Sequence, residues 1–259
     1  MQDRLLLCSY NILADEYINY QRSAGIPEQW LQHQHRLSLI VNKLTNIKWS
    51  IICLQEVETK VIPILNEHCS EYTMYYAQRP QGKQDGLAML IHKDVQCTSQ
   101  GTLALPSVDG KIGSRILQYA EVLWGDQTLT IVNLHISWNA PDQNPPAGTT
   151  EIKSVINWLR ERKKTDFILC GDWNAERSEE VVELLCTGIA QPVQFLLPPT
   201  ALTCWVSGRF LGIDHVLISE GVSAKCIELV NASKMKYCPN QSEGSDHLLV
   251  GVEICHNIE

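Results

Sequence analysis

Side chains able to activate water or hold a hard cation stand at the ends of short apolar runs along the chain. Asn11 follows LLLCSY, Glu56 follows IICLQ, His135 follows LTIVNL, and Asp172 and Asn174 follow FILCG; Asp214 opens a run, and Asp246 and His247 precede LLVGV. Hydrolysis of a phosphate ester asks for residues of these types: ligands for a hard cation that neutralises the phosphate, a group that positions water, and one that stabilises the departing oxygen. Glu56 offers the carboxylate oxygen that Mg2+ prefers, and one or two carboxylates suffice because Mg2+ keeps several waters. His247 could contact the phosphate while Asp214 orients its ring and holds its proton. Asp172 and Asn174, two apart, would share one side of an extended chain, one aligning water and the other bonding a phosphate oxygen. Singly none decides. Gly-Asp-x-Asn is commonly a turn or cap, Ser-Asp-His a strand entry, and a strand-ending histidine a satisfied buried imidazole.

The elements that must position these groups are short, apolar and rich in β-branched residues. Runs at 5–10, 51–54, 87–91, 116–122, 129–134, 167–170, 215–218 and 248–254 predict strands. Leu37, Ile40, Val41 and Leu44, and again Ile152, Val155, Ile156 and Leu159, follow the i, i+3, i+4, i+7 spacing of a buried helix face. Strands sharing a sheet would bring their polar ends to one rim. Gly/Pro-rich stretches at 79–86, 106–113, 139–148 and 191–200 are too short and varied for linkers, so residues 1–259 read as one domain. Heptads, low-complexity tracts, solenoid repeats and a leucine-rich repeat array are all missing from the sequence.

A chain of 259 residues, 44% hydrophobic and 19% charged, has the composition of an ordinary soluble protein. It buries roughly three-quarters of its unfolded surface and needs no disulfide or structural metal. Of the 10 Cys, none form a Cys-x-x-Cys pair, and Cys8, Cys53 and Cys170 lie in or beside apolar runs, as reduced core thiols do. No stretch of 18 apolar residues occurs and the first apolar run is too short for a signal peptide, so a cytoplasmic monomer without membrane contact is expected. Lys+Arg 21 against Asp+Glu 29 gives a net charge of −8, which argues against non-specific binding of long duplex.

Taken in order, SYN (9–11), LQEVE (54–58), NLH with a Trp three residues after the His (133–138), GDWN (171–174), IDH (213–215) and SDH (245–247) resemble the exonuclease–endonuclease–phosphatase superfamily over essentially the whole chain. CSYNILADEY, then Trp30 and Arg36 in a helix, then CLQEVET resemble its deadenylase branch: carbon-catabolite-repression-type nucleases, nocturnin and the angel proteins. The resemblance implies an α/β fold, a DNase-I-like four-layered α/β/β/α sandwich. It also implies Mg2+ (with Mn2+ as a substitute) on Glu56, helped by Asn11 and with Asp246 as a second ligand. Asp172 and Asn174 would act on water and phosphate, His135 would contact phosphate, and Asp214 would pair with His247. Trp138 is a feature of the branch, and its adenine-stacking Pro and Phe correspond to Pro141 and Phe210, each one residue out of register. Arg115 and Lys83, with Arg79 and Asp85, read as charges on the substrate rim. A Trp-Cys-Asp-Arg motif is missing, against a phosphoinositide substrate, and Leu13 stands where apurinic endonucleases carry Asp. The expected activity is 3′–5′ exoribonuclease cleavage of single-stranded RNA, with a nucleotide or other small phosphoester as the alternative substrate. An inactive phosphate-binding scaffold would have lost Glu56, Asp172 or His247, and all three are present.

Overall fold

The computed structural model describes residues 4–162, 166–227 and 231–255. In chain order the elements are β1 (Arg4–Asn11), α1 (Ile18–Ser23), α2 (Glu28–Leu31), α3 (His33–Thr45), β2 (Ile51–Glu58), α4 (Ile62–His68), β3 (Tyr72–Gln78), β4 (Asp85–His92), β5 (Cys97–Pro106), β6 (Ile112–Trp124), β7 (Gln127–His135), α5 (Ala147–Glu161), β8 (Asp166–Asp172), α6 (Glu180–Gly188), β9 (Val193–Phe195), β10 (Cys204–Val206), β11 (Arg209–Leu211), β12 (Asp214–Ser219), β13 (Ser223–Ile227) and β14 (Val250–Cys255). Two six-stranded sheets form, ordered β13-β14-β1-β2-β4-β3 and β5-β6-β7-β8-β12-β9, beside a small β10-β11 hairpin. Both sheets are mixed. Each has one parallel pair, β1 with β2 and β7 with β8, and a parallel pair demands a long return. Helix α3 lies within the first return and α5 within the second, so the two helices legible from periodicity are the crossovers.

Alternation along the strands explains the layering. Leu5, Leu7, Ile51 and Cys53 of one sheet face Leu129, Ile131, Ile168, Cys170, Val216 and Ile218 of the other in a shared core. Residues of opposite parity point outward. Cys8, Tyr10, Ile52 and Leu54 pack on Leu37, Ile40, Val41 and Leu44 of α3, while Val132, Leu134, Leu169 and Leu217 pack on Ile152, Val155, Ile156 and Leu159 of α5. The layers therefore run α, β, β, α, as the resemblance implied, because each sheet has two apolar faces to cover. Strand β14 begins at Val250 rather than at 248; the backbone N–H of Leu248 bonds Thr203 O at 2.7 Å instead.

Candidate active site

The inward column of each central strand changes character along its length. On β1 it runs Leu5, Leu7, Ser9, Asn11; on β7, Leu129, Ile131, Asn133, His135; on β8, Ile168, Cys170, Asp172. Strand β12 is antiparallel to β8, so its column starts where the others finish and Asp214 lies opposite Asp172. The parallel register sets His135 beside Asp172. Strand ends thus supply Asn11, His135, Asp172 and Asp214, and sheet register rather than sequence proximity gathers them.

Between the apolar core and this rim lies a buried amide layer joining the two sheets. Gln55 Nε2 donates to Asn133 Oδ1 at 2.7 Å and Ser9 Oγ at 3.2 Å, and Asn133 Nδ2 donates to Leu54 O at 3.0 Å and Gln118 Oε1 at 3.2 Å. Glu56 would point outward under strict alternation. Instead the β2–β4 register slips between Leu54 and Val57, and Glu56 takes a left-handed φ of 57°. Such a bulge re-aims one side chain at the cost of local strain. Leu13 (φ 56°) and Asn174 (φ 49°) are left-handed too, so three strained residues surround one rim.

The groups meet within hydrogen-bonding range. Asn11 Nδ2 donates at 3.0 Å both to Glu56 Oε1 and to Asp172 Oδ2, while its Oδ1 accepts from Leu13 N at 3.0 Å. That last bond fixes the amide's orientation. Ala14 N donates to Glu56 Oε2 at 2.9 Å. His135 Nε2 stands 3.5 Å from Asp172 Oδ2 and 3.9 Å from Glu56 Oε1. His247 Nδ1 meets Asp214 at 2.9 and 3.1 Å, leaving Nε2 at 3.5 Å from Asp172 Oδ2 and 3.3 Å from Cys204 Sγ.

Burial dominates the electrostatics of the site. It pushes the Glu56 carboxyl up to about 7, reinforced by the charge of Asp246 and opposed by the Asn11 amide. Burial, opposed by His247 and assisted by Asp214, brings Asp172 to about 6, and burial also raises Asp246. Burial lowers His135 well below the usual histidine range, helped by the Arg115 and Arg79 charges, so its ring is neutral. For His247 burial works against the charge, yet Asp214 and Asp172 hold the ring well above the ordinary value. The nearby Cys204 thiol, which burial keeps protonated, supplies contact rather than charge.

Several expectations need restating. Asn174 does not extend from Asp172 along a strand; its left-handed turn folds it back, with N–H to Asp172 Oδ1 at 2.8 Å and Nδ2 to Ile136 O at 2.9 Å. Arg79 and Asp85 are not rim charges, for both are buried and paired at 2.9 Å, with Arg79 also bonding Ser114 O and Tyr17. Trp30 and Arg36 lie in separate helices, α2 and α3. Arg115 is half-buried, bonds Ser137 Oγ at 3.2 Å, and keeps Nη1 buried without a partner; burial and the Arg79 charge pull it below its ordinary value, against Glu151, Asp172 and Glu56. Asp246 groups with Cys204 and His247 rather than with Glu56. Lys83 stands in the β3–β4 connection, its carbonyl taken by Gln78. Trp138 is 59% exposed on the segment after β7, Pro141 is exposed on the same segment, and Phe210 packs on Trp205 in the β10-β11 hairpin.

The sequence motifs contain Ser9, Gln55, Asn133, Arg36 and Ser245 but give no sign of the amide layer or of three supports. Arg36 bonds Leu13 O at 2.8 Å and Gly244 O at 3.0 Å, tying the segment after β1 to the His247 segment. Ser245 Oγ bonds Asn11 O at 2.7 Å, and Thr203 Oγ1 accepts from Asp214 N at 3.0 Å. Their partners lie far away in sequence, so neither the polar positions within strands nor Arg36 within α3 carries a local signal of the bonds they make.

Glu56, His135 and Asp172 present ligand atoms within 4.8 Å of one another. Two buried carboxylates bridged by a neutral amide, both pushed up in pKa, form a negative cluster that a divalent cation would satisfy. The carboxylate oxygens of Glu56 and Asp172 suit a hard divalent ion. Fold and site together define the class, metal-dependent phosphoester hydrolases. The profile of the Endonuclease/Exonuclease/phosphatase family matches residues 8–247, and the chain belongs to that family. It is 22% identical over 232 residues to the CCR4-Not complex 3′-5′-exoribonuclease subunit Ccr4 of Candida albicans, covering 73% of this chain but 29% of that protein's length. It is 21% identical over 282 residues to Protein angel of Drosophila melanogaster, covering 94% of this chain and 78% of the relative. The crystal structure of ANGEL2, a 2′,3′-cyclic phosphatase, in complex with adenosine-2′,3′-vanadate superposes with a TM-score of 0.80 at 14% identity, over 97% of this chain and 95% of that one. The chain shares the fold of ANGEL2, and these relatives fall in the deadenylase branch that the motifs resemble.

Proposed function

We propose that the chain is a Mg2+-dependent phosphodiesterase that shortens single-stranded RNA from its 3′ end. The observation that carries this reading is the meeting of Glu56, Asp172, Asn11, His135 and the Asp214–His247 pair at one sheet rim. Glu56 and Asp172 would hold the cation, which when bound supplies charge neutralisation to the phosphate and to the departing oxygen. The Asp172 carboxylate, whose Oδ1 accepts from Asn174 N, would orient water and take its proton. His247, kept cationic by Asp214, donates from Nε2 to a phosphate oxygen, and Arg115 offers its unpartnered Nη1 to the same anion. Neutral His135 donates without competing for the charge. Asn174 closes the far side of the Asp172 carboxylate. Trp138, Pro141 and Phe210 are assigned to the base, and Lys83 to the strand's backbone.

The relatives' names support an RNA substrate, since one is a 3′-5′-exoribonuclease subunit. A second reading, hydrolysis of a small nucleotide phosphoester such as a 2′,3′-cyclic phosphate, is supported by the ANGEL2 likeness. We assign the protein to a reducing, cytoplasm-like compartment on the strength of its free cysteines. Labelled homoribopolymers, dinucleotides and 2′,3′-cyclic AMP digested side by side test the assignment. Stepwise shortening of oligoadenylate is expected, and turnover of small molecules alone would replace the first reading by the second.

A further inference from the structure

A groove of about 650 Å3 opens beside the segment that delivers His247, lined by Trp30, Lys234, Lys236, Tyr237, Asn240 and Ser242 among others. None of its lining residues is acidic, in a chain whose net charge is −8. Lys234 and Lys236 are exposed, and among the described residues neither has a carboxylate partner. Lys236 Nζ lies 5.9 Å from the centre of the Tyr237 ring. Aromatic faces interleaved with unpaired ammonium groups match the chemistry of a single strand, whose bases stack while its phosphates pair with cations. An apolar ligand would leave the lysines idle, and a bare anion would leave the rings idle.

The groove is built rather than incidental. His35 Nε2 lies 3.3 Å from Asn240 O and its ring packs 5.2 Å from that of Trp30, which joins the two walls. Asn240 Oδ1 accepts from Ser242 N at 2.8 Å and Glu243 N at 3.0 Å, and Lys43 holds Glu243 at 2.8 Å. Holding the walls before the ligand arrives lowers the ordering cost of binding. The same segment reaches the rim within a few residues: Ser242 and Asp246 are separated by four steps of chain, at most about 14 Å.

Resting on the reading of the rim as a phosphodiesterase centre, we propose that this groove holds nucleotides of a single-stranded nucleic acid that flank the scissile bond. The rim would act on one phosphate while the groove gives longer strands their affinity.

Two variants test it, Trp30→Ala and the exposed pair Lys234→Glu/Lys236→Glu, the second serving should the first fail to fold. Each is assayed on a dinucleotide and on a labelled ten-nucleotide oligoadenylate, and the anisotropy of the labelled strand is read in EDTA. Expected is a KM for the ten-mer raised about tenfold or more and a matching loss of binding, within the range for one lost base–aromatic stack, with dinucleotide turnover unchanged. Unchanged ten-mer binding and KM in the folded variants would overturn the groove while leaving the rim intact. If wild type cleaves neither substrate, the phosphodiesterase reading fails, and anisotropy still decides whether the groove holds a strand. Competition by polyglutamate as effective as that by unlabelled oligoadenylate would overturn the nucleic-acid assignment in favour of an acidic peptide.

Discussion

Glu56 carries its charge in the metal-free protein at a cost to stability. Its carboxyl is raised to about 7 when folded against 4.5 as an ordinary glutamate. A raised carboxyl favours folding only below the unfolded value, so stability is lost as pH climbs from 4.5 through 7. The loss is on the order of 3 kcal/mol. Glu56→Gln cannot ionise, so in EDTA at pH 8 its Tm should exceed wild type by several degrees, with no gain at pH 5; thermal melts at both pH values check this. Mg2+ should close the gap by stabilising wild type alone. Asp214 does the reverse for His247, holding it charged. If the cation is the active form, activity falls as pH rises through its pKa. Removing the Asp214 charge in Asp214→Asn lowers that pKa, so the alkaline fall of kcat/KM moves to lower pH, with kcat down by about 10^2 to 10^4 as for other histidine-orienting carboxylates.

At the scale of elements, the site stands on two parallel strand pairs tied across the sandwich by amides. Asn133→Leu removes the donor to Gln118 Oε1 and Leu54 O and the nearest acceptor of Gln55 Nε2 and should cost about 1–3 kcal/mol. Denaturant titration of Asn133→Leu, Gln55→Leu and the double variant should reveal non-additivity, because the two share one bond. What the sequence made legible follows the same logic. The eight apolar runs all mark strands paired on both sides, the last of them starting two residues before β14, and α3 and α5 lie in the crossovers. The strands that escaped notice are the four edges of the two large sheets, β3, β5, β9 and β13, and the two three-residue strands of the β10-β11 hairpin. Edge strands such as β5 alternate between exposed and half-buried positions and carry too few large apolar residues to stand out. Helices α1, α2, α4 and α6 are too short to show a period. The rim residues were legible as strand ends and Gly-Asp-x-Asn as a turn, whereas the Glu56 bulge was not, since a left-handed φ at a glutamate leaves no mark in sequence.

Across the whole molecule, one core lies between the sheets and is lined by both. We propose on that ground that residues 1–259 form a single catalytic domain. Calorimetry should then show one cooperative transition, with equal calorimetric and van't Hoff enthalpies; two resolved transitions would divide the chain. Among the described residues no helix is long and apolar enough to cross a membrane. The −8 net charge remains compatible with a single strand of nucleic acid when it meets local cations, Arg115 and Lys83 beside the rim and Lys234 and Lys236 in the groove. Long duplex would meet repulsion outside them, and a single strand would not need that surface. The most direct test of the account is turnover of labelled oligoadenylate by wild type and by Glu56→Ala, each with Mg2+ and with EDTA. Cleavage by wild type with Mg2+, abolished by EDTA and reduced at least a hundredfold in the variant, is predicted; equal cleavage by both proteins, or cleavage indifferent to EDTA, would contradict it.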